Sequence, residues 1–495
     1  MPIMDEPTSL DPQIADSNSE KLVAANCYEG LVRIMADGTI GKGVATDWNI
    51  SDDGLTYTFK LRNNSHWAMF SGHKAVLGEN YEDTFDITVK AEDFKFGIER
   101  TLSEQTGSAD APLFSAVKSI STPDDFTIVF NLSYADDNFL YALTNPGAMP
   151  CDEEFFNLTN GKYGLDAKYL LCNGPFHVSK WTEKTSVKLA KNNEYNGESS
   201  VLPSSVTFYI NNDDSEVADK MNSVTYDVAF LSSSQFSSIE NKKDLNSVAV
   251  QNVTYSFIFN QNDNNYRNKN MRLAFCRSCD TSSLFDSQSD ISKADGIVPP
   301  SCKIGGEDYR NGNAAELLSY DETLAKKNFN DALLELGSSS VETTILCTEQ
   351  YESFVKQMVQ KLQKTLGVKF VSTVKVVSES DLEAAVNDGN YSVAFYPFKA
   401  KSSFAGEIIE GFDQNNIFGY ESDVLSQKIR NIKNNSGSLE GERSAVADAE
   451  NYLVSEAVIM PVFYENSYFV TSKKTSGIYF YSSADNVCFI NAKKS

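Results

Sequence analysis

Side chains able to do chemistry are few in this 495-residue chain, and their spacing fits no common catalytic pattern. There are three histidines, His66, His73 and His177. A zinc enzyme needs several nitrogen or thiolate ligands at compatible spacing, and neither an H-E-x-x-H helix nor two paired C-x-x-C elements occurs. His66 and His73 share the loop-like stretch "SHWAMFSGHK" and read as surface or hydrogen-bonded histidines. Cys276 and Cys279 in "FCRSCD" have the spacing of a redox or metal motif, but no second pair or nearby histidine completes four ligands, so two buried or incidental thiols are the plainer reading. The other cysteines, Cys27, Cys151, Cys172, Cys302, Cys347 and Cys488, are spread too widely to read as a disulfide framework. No phosphate-cradling glycine loop, nucleophile elbow or dinucleotide fingerprint is present. Carboxylate pairs such as "PDD", "CDEE" and "NNDDSE" follow from the sheer number of acidic residues, 68. A glycosidase needs two carboxylates at a fixed distance across a cleft, which spacing along a chain does not supply. The expectation is a binding protein without cofactor or metal, with a carbohydrate-active hydrolase as the alternative of another class.

The formal charge of -25 would repel phosphate backbones and anionic headgroups, so a nucleic-acid partner is not expected. No apolar run reaches the roughly 18 residues that span a bilayer. The chain opens at Met1-Pro2-Ile3 with neither a basic nor an apolar leader region, which reads as a cytosolic protein or one whose leader has been removed. Hydrophobic residues at 41% and aromatics at 12% are globular values, and the length suggests about three lobes.

The elements available to position a site are mixed. "LTYTFKLR" alternates Leu55, Tyr57, Phe59 and Leu61 with polar residues, and "FTIVFNL" alternates Phe126, Ile128, Phe130 and Leu132; both predict half-buried strands. Between them, "VKAEDFKFGIERTL" sets Phe94, Ile98 and Leu102 on one helical face. "YESFVKQMVQKLQKTLG" sets Phe354, Met358, Leu362 and Leu366 on a stripe, with Gly367 suited to end the helix, and "VKFVSTVKVV" reads as the following strand. A further helix, "ERSAVADAENYLVSEAVIM", is predicted to stop at Pro461 before the strand "VFYENSYFV". Polar loops at 107–112, 191–200, 260–270 and 434–442 are too short to link independent domains, so the lobes are expected to exchange chain.

Read together, several stretches resemble the family 5 extracellular solute-binding proteins, which include the oligopeptide-, dipeptide- and nickel-binding components of bacterial ABC importers. "EPTSLDP" and the later "YEGLVR" resemble the family's opening. "GKGVATDWNISDDGLTYTFKLRNNSHWAMFSG" resembles its alternating strand and Trp-containing loop, and "VKAEDFKFGIERTL" the helix after it. "CNGPFHVSKW", "NNEYNG" and "TYSFIFNQNDNNYRNKNMRLAFCRSCD" continue the match in order, which runs from about residue 5 to about residue 480. A departure is "HWAMFSGHKAVLGENYEDTFDITVKAEDF", an insertion where the family has a short W-S-D-G turn.

The resemblance implies an α/β fold of the type II periplasmic-binding-protein kind, a clamshell of two main lobes joined by a hinge plus a smaller inserted lobe. Lobe I would comprise 1–41, 172–253 and 467–495, lobe II 42–171, and lobe III 254–466. A peptide-like ligand would be enclosed between lobes I and III and delivered to an ABC importer permease by a monomeric receptor. That receptor would be extracytoplasmic, a lipoprotein tethered to the membrane after loss of a leader. Within the same fold, a non-peptide anionic solute, an oligosaccharide or a metal chelate is the alternative cargo. Carried over by position, Asp16, Ser17 and Asn18 match the family segment that lies against ligand, with Pro7 and Pro12 stiffening the approach. In "VAFYPFKAKSSF" Phe398 falls at about the position of the family's Trp. The acid that pairs with a peptide's α-amine in oligopeptide binders falls on or beside Lys401, with Lys399 two before it. No acid lies between Val393 and Phe404, and an ammonium there would favour a carboxylate or phosphate. Tyr255, Phe257, Phe114, Tyr464 and Trp67 fall in stretches that border the family's cleft and are candidates to face ligand side chains.

Overall fold

The two alternating stretches fold as the strands Thr56–Leu61 and Thr127–Leu132. They pair antiparallel, Tyr57 opposite Phe130 and Phe59 opposite Ile128, so all four apolar side chains leave solvent together. Ala45–Ile50 and Val117–Asp124 complete a four-stranded sheet. The helix Ala91–Leu102 buries Phe94 and Ile98 as its periodicity predicts. Leu102, expected on the same stripe, is exposed because the helix ends there and the chain turns away at Ser103.

The computed structural model describes all residues except 36–38, 137, 198–199, 282–284, 286–290, 400–403, 414–415, 436–437 and 482–485, so Lys401 lies outside the described residues. The chain forms two compact units, Met1–Ala249 with Tyr468–Ser495, and Val250–Ser467.

In the first unit a second sheet has the order Pro2–Ile3, Ser205–Ile210, Ser186–Lys191, Phe176–Thr182. One hydrophobic cluster joins Leu22, Phe59, Phe94, Phe176, Phe208 and Phe489, so the stretch 42–171 shares a core with the segments on either side of it. The last residues of the chain close that core. Asn26 donates from Nδ2 to the carbonyls of Leu22 at 2.9 Å and Val487 at 2.8 Å, and its Oδ1 accepts from the Phe489 amide.

The insertion is folded inward. Trp67 is fully buried, its amide donating to the Ile87 carbonyl at 2.8 Å. His73, also fully buried, has Nε2 3.1 Å from the Leu170 carbonyl and its ring 4.2 Å from that of Phe70. Burial lowers its pKa from 6.5 to about 4, against the pull of the Leu170 carbonyl and with a small contribution from His177. An unfolded His73 takes up a proton near pH 6.5, whereas the folded ring resists until about pH 4. Stability is therefore fully present above the higher value and is lost as pH falls through this window, by about 3 kcal/mol. Urea unfolding at pH 7 and pH 4.5 should show a larger loss for the wild type than for His73→Gln; equal losses would refute the assignment.

In the second unit the strands Leu245–Phe259, Val393–Lys399, Val341–Cys347 and Phe370–Val376 are neighbours in that order, the last two pairs parallel and the first antiparallel. The helix Glu352–Leu366 buries Phe354, Met358, Leu362 and Leu366, and Gly367 follows at φ +79, a conformation glycine reaches without strain. The helix expected to reach Pro461 instead spans Leu439–Ser455. Ala457 turns the chain at φ +49, and Pro461 lies inside the strand Ile459–Ser472. The apolar run Val458 to Met460, with Val458 and Ile459 buried, leads into the strand, a use that apolar content alone does not distinguish from a helix end. The chain passes from the first unit to the second within Leu245–Phe259 and returns within Ile459–Ser472. Among the described residues no helix is long and apolar enough to cross a membrane.

Candidate functional site

The opening segment is held along nearly its whole length. Asp11 caps the turn Pro12–Ile14 by accepting from the Gln13 amide, and its carboxylate takes Arg100 Nη2 at 2.5 Å and Nη1 at 3.2 Å. Gln13 accepts from the same Arg100 at 2.7 Å and donates to the Met149 carbonyl at 2.9 Å. The helix Asn18–Cys27 begins with a capping box in which Ser17 Oγ accepts from the Glu20 amide. Glu20 reaches back to the amides of Thr8, Ser9, Asp16 and Ser17 and to the Thr8 hydroxyl. Its burial opposes ionisation, but these donors outweigh it and hold the carboxyl below its ordinary pKa.

This framework fixes what the three predicted residues can do. The Ser17 hydroxyl is occupied as a helix cap, while Asp16 and Asn18 are exposed on either side of it. One turn on, Lys21 of the same helix meets Asp110, a buried residue that sequence reading left in a loop. Its carboxylate accepts from the Gly147 amide at 2.9 Å, sits 3.6 Å from Lys21 Nζ, and feels the charge of Asp16. Burial raises the Asp110 pKa, and Lys21 offsets part of that rise. Asp110 is thus occupied inside the fold, whereas Asp16, exposed just before the helix that carries Lys21, is a carboxylate able to receive a ligand cation. No signal along the chain pairs Asp110 with Lys21; only the fold does so.

Within the second unit, strand register separates residues that the sequence suggested together. Tyr255 stands opposite Pro397 and Phe257 opposite Phe395, while Phe398 stands opposite Thr254. Side chains alternate along a strand, so Tyr255 and Phe257 share one face with Phe395, and Phe398 and Tyr396 occupy the other. On the first face Tyr255 lies 4.4 Å from the Tyr351 ring and 5.1 Å from Phe463. On the second, Phe398 stacks at 5.9 Å on Phe412 and 5.7 Å from Phe418, and Lys399 follows it exposed at the strand end.

Phe257, like Phe114 and Trp67 of the first unit, has no exposed surface and works as a core residue. Tyr464 is buried, its hydroxyl accepting from the Asp295 amide at 3.1 Å and lying near the Gly296 and Val298 carbonyls. Among the described residues no group of three or more His, Cys, Asp and Glu could hold a metal ion.

Comparison with known proteins accords with this architecture. The family model "Bacterial extracellular solute-binding proteins, family 5 Middle" matches residues 39–418. The dipeptide-binding protein DppE of Bacillus subtilis (strain 168) is 24% identical, the alignment covering 96% of this chain and 88% of DppE. The probable D,D-dipeptide-binding periplasmic protein DdpA of Escherichia coli (strain K12) is 22% identical over 98% of this chain and 92% of its own length. Among solved structures, the dipeptide-binding protein of Pseudoalteromonas sp. SM9913 in complex with Met-Leu superposes with a TM-score of 0.79 at 17% identity, covering 100% of this chain and 99% of that one. OppA of Listeria monocytogenes bound to peptide gives 0.78 at 20% identity, covering 100% and 98%. The chain belongs to the family 5 bacterial extracellular solute-binding proteins.

Proposed function

We propose that this protein is an extracytoplasmic receptor that encloses a peptide-like solute and hands it to the permease of an ABC importer. It acts as a monomer tethered to the membrane as a lipoprotein, and it has no catalytic role. The three-lobe division given above (1–41, 172–253 and 467–495; 42–171; 254–466) goes with this reading, as does closure driven by a ligand that favours the closed population. The observation that carries the peptide assignment is Asp16, an exposed carboxylate beside Asn18 at the start of the helix Asn18–Cys27. In a family whose oligopeptide binders hold the α-amine with an acid in the stretch matching Val393 to Phe404, this chain has none there. Asp16 at the start of the helix supplies a carboxylate for an ammonium by another route. Relatives named as dipeptide- and oligopeptide-binding support the same cargo.

A second reading follows from Lys399, exposed where the family's acid would be near: an anionic solute held by Lys399 and Lys401. Calorimetry with a dipeptide and its N-acetylated form separates the two. Under the peptide-amine reading, acetylation and Asp16→Asn each weaken binding about tenfold, close to 1.4 kcal/mol, while Lys401→Ala leaves it unchanged. Strong loss in Lys401→Ala with indifference to acetylation overturns it in favour of the anionic solute. Native mass spectrometry of the purified protein identifies whatever small molecule it carries.

A further inference from the structure

We propose that Cys27 and Cys172 are joined by a disulfide in the mature protein, a crosslink that ties the end of the first helix to the point where the chain returns from the stretch 42–171. Cys27 is the last residue of the helix Asn18–Cys27, and Cys172 precedes the strand Phe176–Thr182. Counting along the sequence gives no reason to pair them, but their backbones run side by side. The Gly174 amide donates to the Cys27 carbonyl at 2.9 Å. Asn173 brackets Glu29, accepting from its amide at 3.0 Å and donating to its carbonyl at 2.8 Å. The approach is so close that a Cβ on Gly174 would lie 2.6 Å from the Cys27 carbonyl carbon and the Tyr28 amide nitrogen. Glycine at 174 thus lets the two segments meet, and the Asn173 bracket stops them sliding apart.

Both thiols are buried and both are free in this structure, and the Cys27 thiol feels that of Cys172 as a neighbour. Two buried neighbouring thiols on backbones pinned this way are placed for side-chain rotation to bring them to bonding distance. The C-x-x-C pair is the obvious rival. Cys276 and Cys279 both line a cavity of about 200 Å³ in the second unit, together with Lys293, Tyr320 and Pro461. The Cys279 thiol, however, is directed to the Met358 carbonyl at 3.7 Å.

The crosslink rests on the extracytoplasmic reading above, since outside the cytosol thiol pairs in contact are driven to disulfides. The chemistry is exchange with an external disulfide of the glutathione class. One cysteine thiolate attacks it, forming a mixed disulfide and releasing one glutathione thiolate. The second cysteine thiolate then attacks the protein sulfur of that mixed disulfide, releasing the second glutathione. Two electrons pass from the protein thiols to the oxidant, and two glutathione thiols are the products. Because the folded core closes over both sulfurs, exchange occurs during folding.

The test is to refold the full chain, unfolded under reductant, in a buffer of reduced and oxidised glutathione, and then to alkylate it under denaturing conditions. Six of the eight cysteines should be alkylated, and a peptide map should link Cys27 to Cys172. The thermal midpoint should fall by several degrees when dithiothreitol is added, and that response should vanish in Cys172→Ser. Alkylation of all eight cysteines, or a bond that maps to Cys276 and Cys279, overturns the proposal. The wild-type result alone decides it, so a poorly folding variant does not obscure the outcome. A bond that forms in glutathione but is missing from protein taken from its native source would count against the extracytoplasmic reading, not against the geometry.

Discussion

Glu450→Ala is expected to lower the stability of the second unit by about 3–5 kcal/mol. Glu450 sits on the helix Leu439–Ser455 with almost no exposed surface. Its carboxylate accepts from the amides of Ile297 at 2.7 Å and Val298 at 2.9 Å, from the Tyr309 hydroxyl at 3.0 Å, and from both terminal nitrogens of Arg310. Alanine would leave a buried guanidinium, two amides and a hydroxyl without their acceptor, and each orphaned group carries its own desolvation cost. Glu450→Gln keeps the shape and one acceptor oxygen, so its loss should be clearly smaller. Urea denaturation of both variants checks this, and equal losses would mean that charge plays no part in holding the 296–310 loop.

Arg100→Met should cost the first unit a similar amount, about 3–5 kcal/mol, and should also weaken ligand binding. The guanidinium lies 4.1 Å over the Phe156 ring and is bonded to Asp11 and Gln13, so a methionine fills much of its volume but leaves the Asp11 carboxylate buried without a counter-charge. On the reading proposed above, binding is involved because the same contacts set the path from Ser9 to Ala15 that leads to Asp16 and Asn18. The double variant Asp11→Asn with Arg100→Met removes both charges and should recover a large part of the stability, since a lone buried charge is worse than none. Thermal unfolding of the two single variants and the double variant gives the coupling directly. Additive losses would show that the pair does not act as a unit.

How much of this could be read in advance depended on whether the deciding physics was local. The helix Glu352–Leu366 was legible because its stripe, its period and its terminal glycine lie within one short window. The strand Ile459–Ser472 was misread at its start because Pro461 suggested a stop, whereas the left-handed turn at Ala457 had already ended the helix. Tyr255 and Phe398 were both suggested as facing ligand. Their assignment to opposite faces depends on the pairing of Tyr255 with Pro397, a register set by tertiary packing. The role of Ser17 as a cap was present in the spacing of Ser17 and Glu20, a local signal that the family resemblance overshadowed. The meeting of Lys21 with Asp110, and of Cys27 with Gly174, joins positions far apart in the chain, and composition says nothing about such encounters.

The way the C-terminal residues complete the first unit also sets an order of events during synthesis. Residues Val250–Ser467 form a continuous run, so the second unit has its whole core as soon as that run has emerged. The first unit, although its chain begins earlier, still lacks Phe469, Val487, Phe489 and Ile490, and the buried Asn26 lacks its Val487 and Phe489 partners until the last stretch appears. The half made first is thus finished last, and for most of the time that the chain is growing its apolar surface is left for a chaperone or the export machinery to shield.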